Sequence, residues 1–190
     1  MLKWIARRRL AAFERAFDYD ASYIREVLDT SWKAFSRFVP VMKMSSHRED
    51  IPLDAWYAAK VVAIRSEDCG PCTQLTVTMA EREGVSARLL RAVFDNDEKA
   101  MGPDVTLAVR YARAVLAHDL EADGLREQIV VRWGQRAVVS LALSIAAAKV
   151  YPTMKYALGH GQACTRVRIG GAETRVAAQT LPSAVRESAA

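Results

Sequence analysis

The chain is poor in residues that hold metals: 190 residues contain three histidines and three cysteines. Cys69 and Cys72 lie close together, and Cys164, His47, His118 and His160 are all far from them. A zinc site built on a C-x-x-C pair needs two more ligands at close spacing, and none follows. No metal, flavin or haem signature occurs, so no cofactor is expected. Glycine and proline are sparse, nine and six, which excludes a low-complexity chain. The most apolar run, Ala137 to Ala148, falls short of the ~20 residues of a spanning helix. It reads as a core helix, and no membrane span is expected. Residues 1–17 lack the apolar core and cleavage site of a secretion signal. With so few cysteines, a reducing cytoplasm is the expected location. No solenoid repeat is visible.

Hydrophobic residues make up 51 % of the chain, enough for a sizeable core in one domain with appendages. Ala, Leu, Arg and Val abound and turn clusters are few, a balance that favours helix. The net charge is +5, much of it at Lys3, Arg7, Arg8, Arg9 and Arg15, which face only Glu14. No nucleic-acid-binding motif accompanies these cations, so nucleic acid is not an expected partner. They read as the solvated face of an amphipathic helix over 3–17. Its other face, Trp4, Ile5, Leu10, Phe13 and Phe17, suits docking or oligomer contact better than a membrane surface.

The periodicity predicts a second helix over 22–38, ended by Pro40, and a polar loop over 41–50. A third helix starts at Pro52 and runs to about Arg65. A fourth follows from Thr73 to Glu83, with Gly84 as its cap. Ser86 caps a short fifth helix, 95–102 is a polar loop, and Pro103 opens a sixth that ends near His118. Asp123-Gly124 is a turn, 125–133 a short helix, and Gly134 a break. The run 135–150 is apolar nearly all round and is expected to be the central buried helix, with Pro152 kinking or restarting it. Residues 165–169 and 173–177 flank Gly170-Gly171 as a hairpin, and 178–190 is a tail. This gives an N-terminal helical extension (1–40), a helical domain (41–160) and a C-terminal tail (161–190).

The chemistry concentrates in Glu67-Asp68-Cys69-Gly70-Pro71-Cys72. A thiol at a helix N-terminus gains from the helix dipole and free backbone N–H groups, which lowers its pKa toward working pH. A redox dithiol is the first reading; half a zinc site and two buried structural cysteines are the alternatives. Glu67 and Asp68 either cap the helix or act as acid–base groups. Cys-Gly-Pro-Cys is also the motif of thioredoxin. That fold needs strands before the motif and between Cys72 and Pro152, where helical periodicity prevails instead.

Asp54-Ala55-Trp56-Tyr57, the Cys-x-x-Cys, Met79 to Ser86, Ala108 to Val115 and Trp133 to Val139 stand in an order that resembles the carboxymuconolactone decarboxylase and alkylhydroperoxidase D superfamily, in its dithiol branch, across roughly residues 50–160. The resemblance implies an all-α bundle, here with a short C-terminal β-hairpin. It also implies a thiol-dependent peroxidase or disulfide reductase with an antioxidant role. Cys72 would then be the deeper, peroxide-reactive thiol and Cys69 the more exposed resolving one. A thiol-donating protein or small thiol would recycle the pair, and the chain would assemble as a trimer or larger homo-oligomer.

The sequence departs from that pattern at the proton relay. Tyr57 stands where peroxidase members carry a Glu, and Thr76 where they carry a His. Thr76 cannot serve as the base that removes the thiol proton. Glu67, Asp68 or Asp54 are substitutes, and Tyr57 can donate a hydrogen bond to a thiolate. The expected function is a thiol–disulfide oxidoreductase with weaker or different peroxidase activity. A non-catalytic helical oligomer with a structural or redox-sensing disulfide is the alternative. A lyase or binding protein using His118, His160 and Arg136 is a third.

Overall fold

Small and β-branched apolar residues predominate in α5 (Leu53–Arg65), and every residue from Ala55 to Arg65 is buried. Ala55, Ala58, Ala59 and Ala63 let neighbours approach it from several sides. In the computed structural model, which describes residues 2–161 and 166–175, α5 packs against α6 (Gly70–Arg82), α7 (Ala87–Asp95), α8 (Glu98–Ala117) and α10 (Gln135–Ala157). The protein is all-α with one short hairpin, as expected.

The central helix is therefore α5 and not α10. Residues 135–150 are apolar nearly all round, yet α10 buries only part of its surface and leaves Val139 and Tyr156 exposed. Alanine explains the difference, since an uncovered methyl forfeits little. The helix runs unbroken through Pro152, whose ring is buried. At 23 residues α10 is long and apolar enough, by length and composition, to cross a membrane. In the bundle it lies against α4 (Pro40–Ser46), α5 and α9 (Glu121–Trp133).

Other boundaries differ from the sequence reading. The helix expected over 22–38 is two, α2 (Ser22–Thr30) and α3 (Trp32–Phe38). Between them Ser31 is extended and its hydroxyl accepts from the Ala34 N–H at 3.1 Å, an N-cap buried in the middle of a periodic pattern. Pro40 begins α4 where a loop was expected, because a proline in the first turn lacks only an N–H that needs no partner. The polar loop 95–102 shrinks to Asn96 and Asp97. Helix resumes at Glu98 and kinks at Gly102, whose φ of 72° suits glycine. Asp123 and Gly124 lie inside α9, where Asp123 complements the helix N-terminus.

The hairpin pairs β1 (Arg166–Ile169) with β2 (Ala172–Arg175), Val167 opposite Thr174 and Ile169 opposite Ala172. It is clamped onto α6. Gln74 donates to the Arg168 carbonyl at 3.1 Å and accepts the Arg168 N–H at 2.7 Å. Glu81 accepts the Gly170 N–H at 2.6 Å. A Cβ on Gly170 would come within 2.7 Å of Ala87, so the close approach requires glycine. Thr165, residues 176–190 and Cys164 lie outside the described residues.

The N-terminal α1 (Leu2–Phe17) is joined to α2 by a tight turn. Asp18 has φ 48°, and the Tyr19 N–H bonds the Glu14 carbonyl at 3.1 Å. The Glu14 carboxylate accepts the Ala21 N–H at 3.0 Å and pairs with Arg25. That turn aims Tyr19 inward, toward the start of α6.

Candidate functional site

The chain leaves α5 through a turn in which Asp68 takes φ 48°. Cys69 then forms the N-cap of α6, with extended backbone. The helix opens at Gly70, three residues earlier than the sequence suggested, because Pro71 occupies the first turn without needing an N–H. Cys69 and Cys72 are thereby N-cap and third helical residue, on the same side of one turn. Both are free thiols and both are buried. Their Sγ atoms are 2.7 Å apart. Cys69 is not the more exposed of the two: its surface is fully covered, while 3 % of Cys72 remains accessible.

Geometry alone permits the proton on either sulfur, and electrostatics decides. The Cys69 thiol is held below its ordinary value, first by the hydrogen bond from Cys72, then by the Cys72 backbone N–H and the Lys155 charge. Burial and the Asp68 carboxylate act against this. No cap hydrogen bond of ordinary geometry forms, so the shared proton is the main cause. Cys72 is pushed up by that same hydrogen bond, by burial and by the negative charge on Cys69. When the pair loses its first proton, these effects favour the thiolate on Cys69 and keep the remaining proton on Cys72.

Three residues that the sequence reading did not single out complete the site. The Tyr19 hydroxyl lies 3.6 Å from Cys72 Sγ and donates to the Tyr23 hydroxyl at 3.4 Å. Burial raises the pKa of both tyrosines, so both stay protonated. From α10 the buried Lys155 places its ammonium 4.6 Å from the Tyr19 ring centre and 5.2 Å from that of Tyr23, a cation–π pair that brings positive charge beside the thiols. Lys155 carried a signal in the sequence. It follows Leu141 and Ala148 at intervals of seven along α10, on the buried face. Tyr19 carried none, being a lone aromatic between two aspartates in a turn.

The residues that were singled out stand elsewhere. Glu67 pairs with Lys149 at 3.1 Å. Asp68 is exposed, its carbonyl accepts from the Tyr156 hydroxyl at 2.9 Å, and its charge opposes the Cys69 thiolate. The Tyr57 hydroxyl donates to Glu83 at 2.7 Å, near the far end of α6 from the thiols. Asp54 is exposed in the first turn of α5, whose last turn is the one that leads to the dithiol. Thr76 donates to the Cys72 carbonyl at 3.0 Å, a local backbone contact. His160 meets Glu26 at 2.7 Å and Ser22 at 3.1 Å, Arg136 meets Asp50 at 2.6 Å, and His118 ends α8. These last three are not gathered into a pocket. Among the described residues no group of three or more His, Cys, Asp or Glu side chains is placed to hold a metal ion.

A cavity of about 1110 Å³ opens between the N-terminal helices and the α5–α6 pair. Cys72 is on its wall, with Tyr19 and Tyr23; Cys69 is not. Fold and site together define an all-α protein with a buried vicinal-turn dithiol. Compared with family models, with curated proteins and with solved structures, the chain finds no match in any of the three.

Proposed function

We propose that the chain is a thiol–disulfide oxidoreductase of the alkylhydroperoxidase D type, in which Cys72 meets the substrate and Cys69 resolves the product. The observation that carries this reading is a pair of free thiols 2.7 Å apart, with only Cys72 facing the cavity. Cys69 takes the part of the base that Thr76 cannot play. As Cys72 Sγ bonds to one sulfur of a disulfide substrate, its proton passes to the Cys69 thiolate and the other substrate sulfur leaves as thiolate. That leaving thiolate takes the proton back from Cys69. Cys69 Sγ then attacks Cys72 Sγ, the Cys69–Cys72 bond forms, and the second substrate sulfur leaves with the charge. The substrate disulfide is reduced to a thiol and a thiolate, and the dithiol monoanion is oxidised to a disulfide. The Tyr19 hydroxyl, within reach of Cys72 Sγ, turns its proton from Tyr23 to that sulfur and stabilises the negative charge that builds there as the Cys72 proton leaves. A peroxide substrate follows the same order, with hydroxide or alkoxide leaving.

A reduced dithiol protein or small thiol returns the pair to its starting state, and free thiols suit a cytoplasmic, reducing setting. Exposed apolar side chains on α1 (Leu2, Trp4 and Ile5) and at Leu120 and Val131 support assembly into a homo-oligomer. In a Cys164→Ser background, two thiols should titrate before and none after mild oxidation with an exchangeable disulfide, and dithiothreitol should restore both. A thiol count that does not change overturns the proposal. Cys69→Ser loses both the base and the resolving thiol, so it should form a mixed disulfide at Cys72 slowly and keep it, while Cys72→Ser, whose remaining thiol does not line the cavity, should trap far less. The burial of both thiols also favours a second reading, a structural or redox-sensing clip. It would show a shift of melting temperature on oxidation with no turnover.

A further inference from the structure

We infer that the cavity beside Cys72 is a binding site for an amphipathic carboxylate, with its apolar body along α6 and its head group at Lys60. The inference does not rest on the redox reading. The cavity is at the upper end of the size of small-molecule sites, which run to ~1,000 Å³. Its floor is apolar, with Leu75 and Met79 from α6 and Ile64 from α5, and Phe13 lies across from them on α1. Its charged lining is one-sided. Arg9, Lys43, Arg48, Lys60 and Arg82 stand against the single carboxylate of Glu83, and that carboxylate is held by the Tyr57 hydroxyl.

Lys60 is the cation that the fold itself has buried. It is 8 % exposed, donates to the Ser45 carbonyl at 2.6 Å and sits 4.4 Å from the centre of the Trp56 ring. It makes no ion pair among the described residues. Burial lowers its pKa to about 8, with Glu83 working the other way, so at neutral pH it is still an ammonium. A buried ammonium held by one carbonyl and a ring face is stabilised by an incoming anion. The head-group end and the thiol end are separated along α6. From Cys72 to Glu83 the helix rises ~16 Å, which suits an extended chain with polarity at one end only.

The probe is oleate, titrated into the full-length reduced protein below its micelle concentration and followed by calorimetry and by Trp fluorescence. Saturable binding of one oleate per chain is expected, with oleyl alcohol at least tenfold weaker. Lys60→Met should weaken oleate about tenfold and leave oleyl alcohol unchanged. Leu75→Trp, which fills the floor, should weaken both. Saturated protein should also lose alkylation of Cys72 by iodoacetamide. Absence of saturable binding, equal affinity for the acid and the alcohol, or a Lys60→Met variant that binds oleate as well as the parent each overturn the inference. So does a cavity occupied by a second copy, seen as an oligomer that excludes oleate at every protein concentration. The thiol count of the preceding section uses no lipid, so either result can fail while the other stands.

Discussion

Two hydrophobic clusters meet at the dithiol, and they are built from different residues. The larger joins α5, α6, α7, α8 and α10 and is made mostly of Ala, Val, Leu and Ile, with Ala59, Val62, Ala108 and Leu141 fully covered. The smaller gathers Tyr19, Ala21, Tyr23 and Ile24, with Leu10, Phe13, Phe17, Phe35 and Phe38 packed against it. Its contacts are between rings: Phe13–Phe17 at 4.9 Å, Phe13–Tyr19 edge-on at 6.0 Å, Phe38–Tyr151 edge-on at 5.6 Å. Neither α1, α3 nor α4 has a single buried residue. Small aliphatic side chains interdigitate and leave no room. Large rings on helices that are only partly covered touch at a few points and leave the cavity. The first cluster fixes where the sulfurs are; the second lines the cavity that Cys72 faces.

Truncation should expose that contrast most strongly. Leu141→Ala removes a fully covered side chain from close packing and should cost about 3–5 kcal/mol in denaturant unfolding. Phe13→Ala removes a larger side chain that is only half-buried and borders space already empty; about 1 kcal/mol is expected. Equal costs would mean that the aromatic cluster is packed as tightly as the aliphatic one, and the comparison would fail.

Lys60 lies on the seam. Its folded pKa, about 8, is below its ordinary value of 10.5. Between those values the unfolded chain holds a proton that the folded chain has released, so this residue makes stability rise with pH across that window. The difference in stability between the parent and Lys60→Met should therefore change by about 2–3 kcal/mol from pH 8 to pH 10.5, in favour of the parent. Taking the difference cancels the other titrating groups. A flat difference would mean that Lys60 is solvated and that the cavity is more open than described.

Much of the aliphatic half was legible in the sequence, and little of the aromatic half was. Helical periodicity located α5, α7, α9 and α10, and the turn residues Gly170-Gly171 located the hairpin, because each is a local pattern. The dithiol was visible as a motif. What periodicity does not carry is which surface of one helix meets another. Trp32, Phe35 and Phe38 read as one continuous stripe with α2, although Ser31 interrupts it. The partner of Cys72 lies 53 residues away at Tyr19, in a turn whose composition reads as a simple helix break. Tyr57 was singled out for its place in a resemblance, and its hydroxyl is instead held by Glu83.

The thiols test whether the two halves act together. Cys69 is held below the ordinary thiol value and Cys72 above it. In a Cys164→Ser background, ultraviolet absorbance should show one thiolate formed below pH ~8.5 and the second absent until strongly alkaline pH. The Cys69 thiolate contributes stability above that ordinary value and loses it as pH falls through the lower, folded one. Tyr19→Phe keeps the ring and removes the hydroxyl that favours charge on Cys72. It should slow disulfide exchange roughly tenfold, about 1.4 kcal/mol, with little change in melting temperature. Unchanged exchange would reduce the aromatic half to a cover.

The smallest effects separate two contacts that both tie α1 to α2. Arg7 reaches Asp29 at 2.6 Å, but both side chains are about half exposed. Asp29→Ala should cost under about 0.5 kcal/mol, since solvent and salt screen such a pair. Glu14 is different because its carboxylate is mostly covered and binds the Ala21 N–H as well as Arg25. Glu14→Ala leaves that N–H without its acceptor and should cost about 1 kcal/mol. It also loosens the turn that aims Tyr19 at Cys72. The informative readout is therefore exchange rate relative to stability. Glu14→Ala should slow exchange part of the way toward Tyr19→Phe, while Asp29→Ala should leave it alone. If both variants behave alike, Tyr19 is positioned by ring packing against Phe13 and not by the hydrogen-bonded turn.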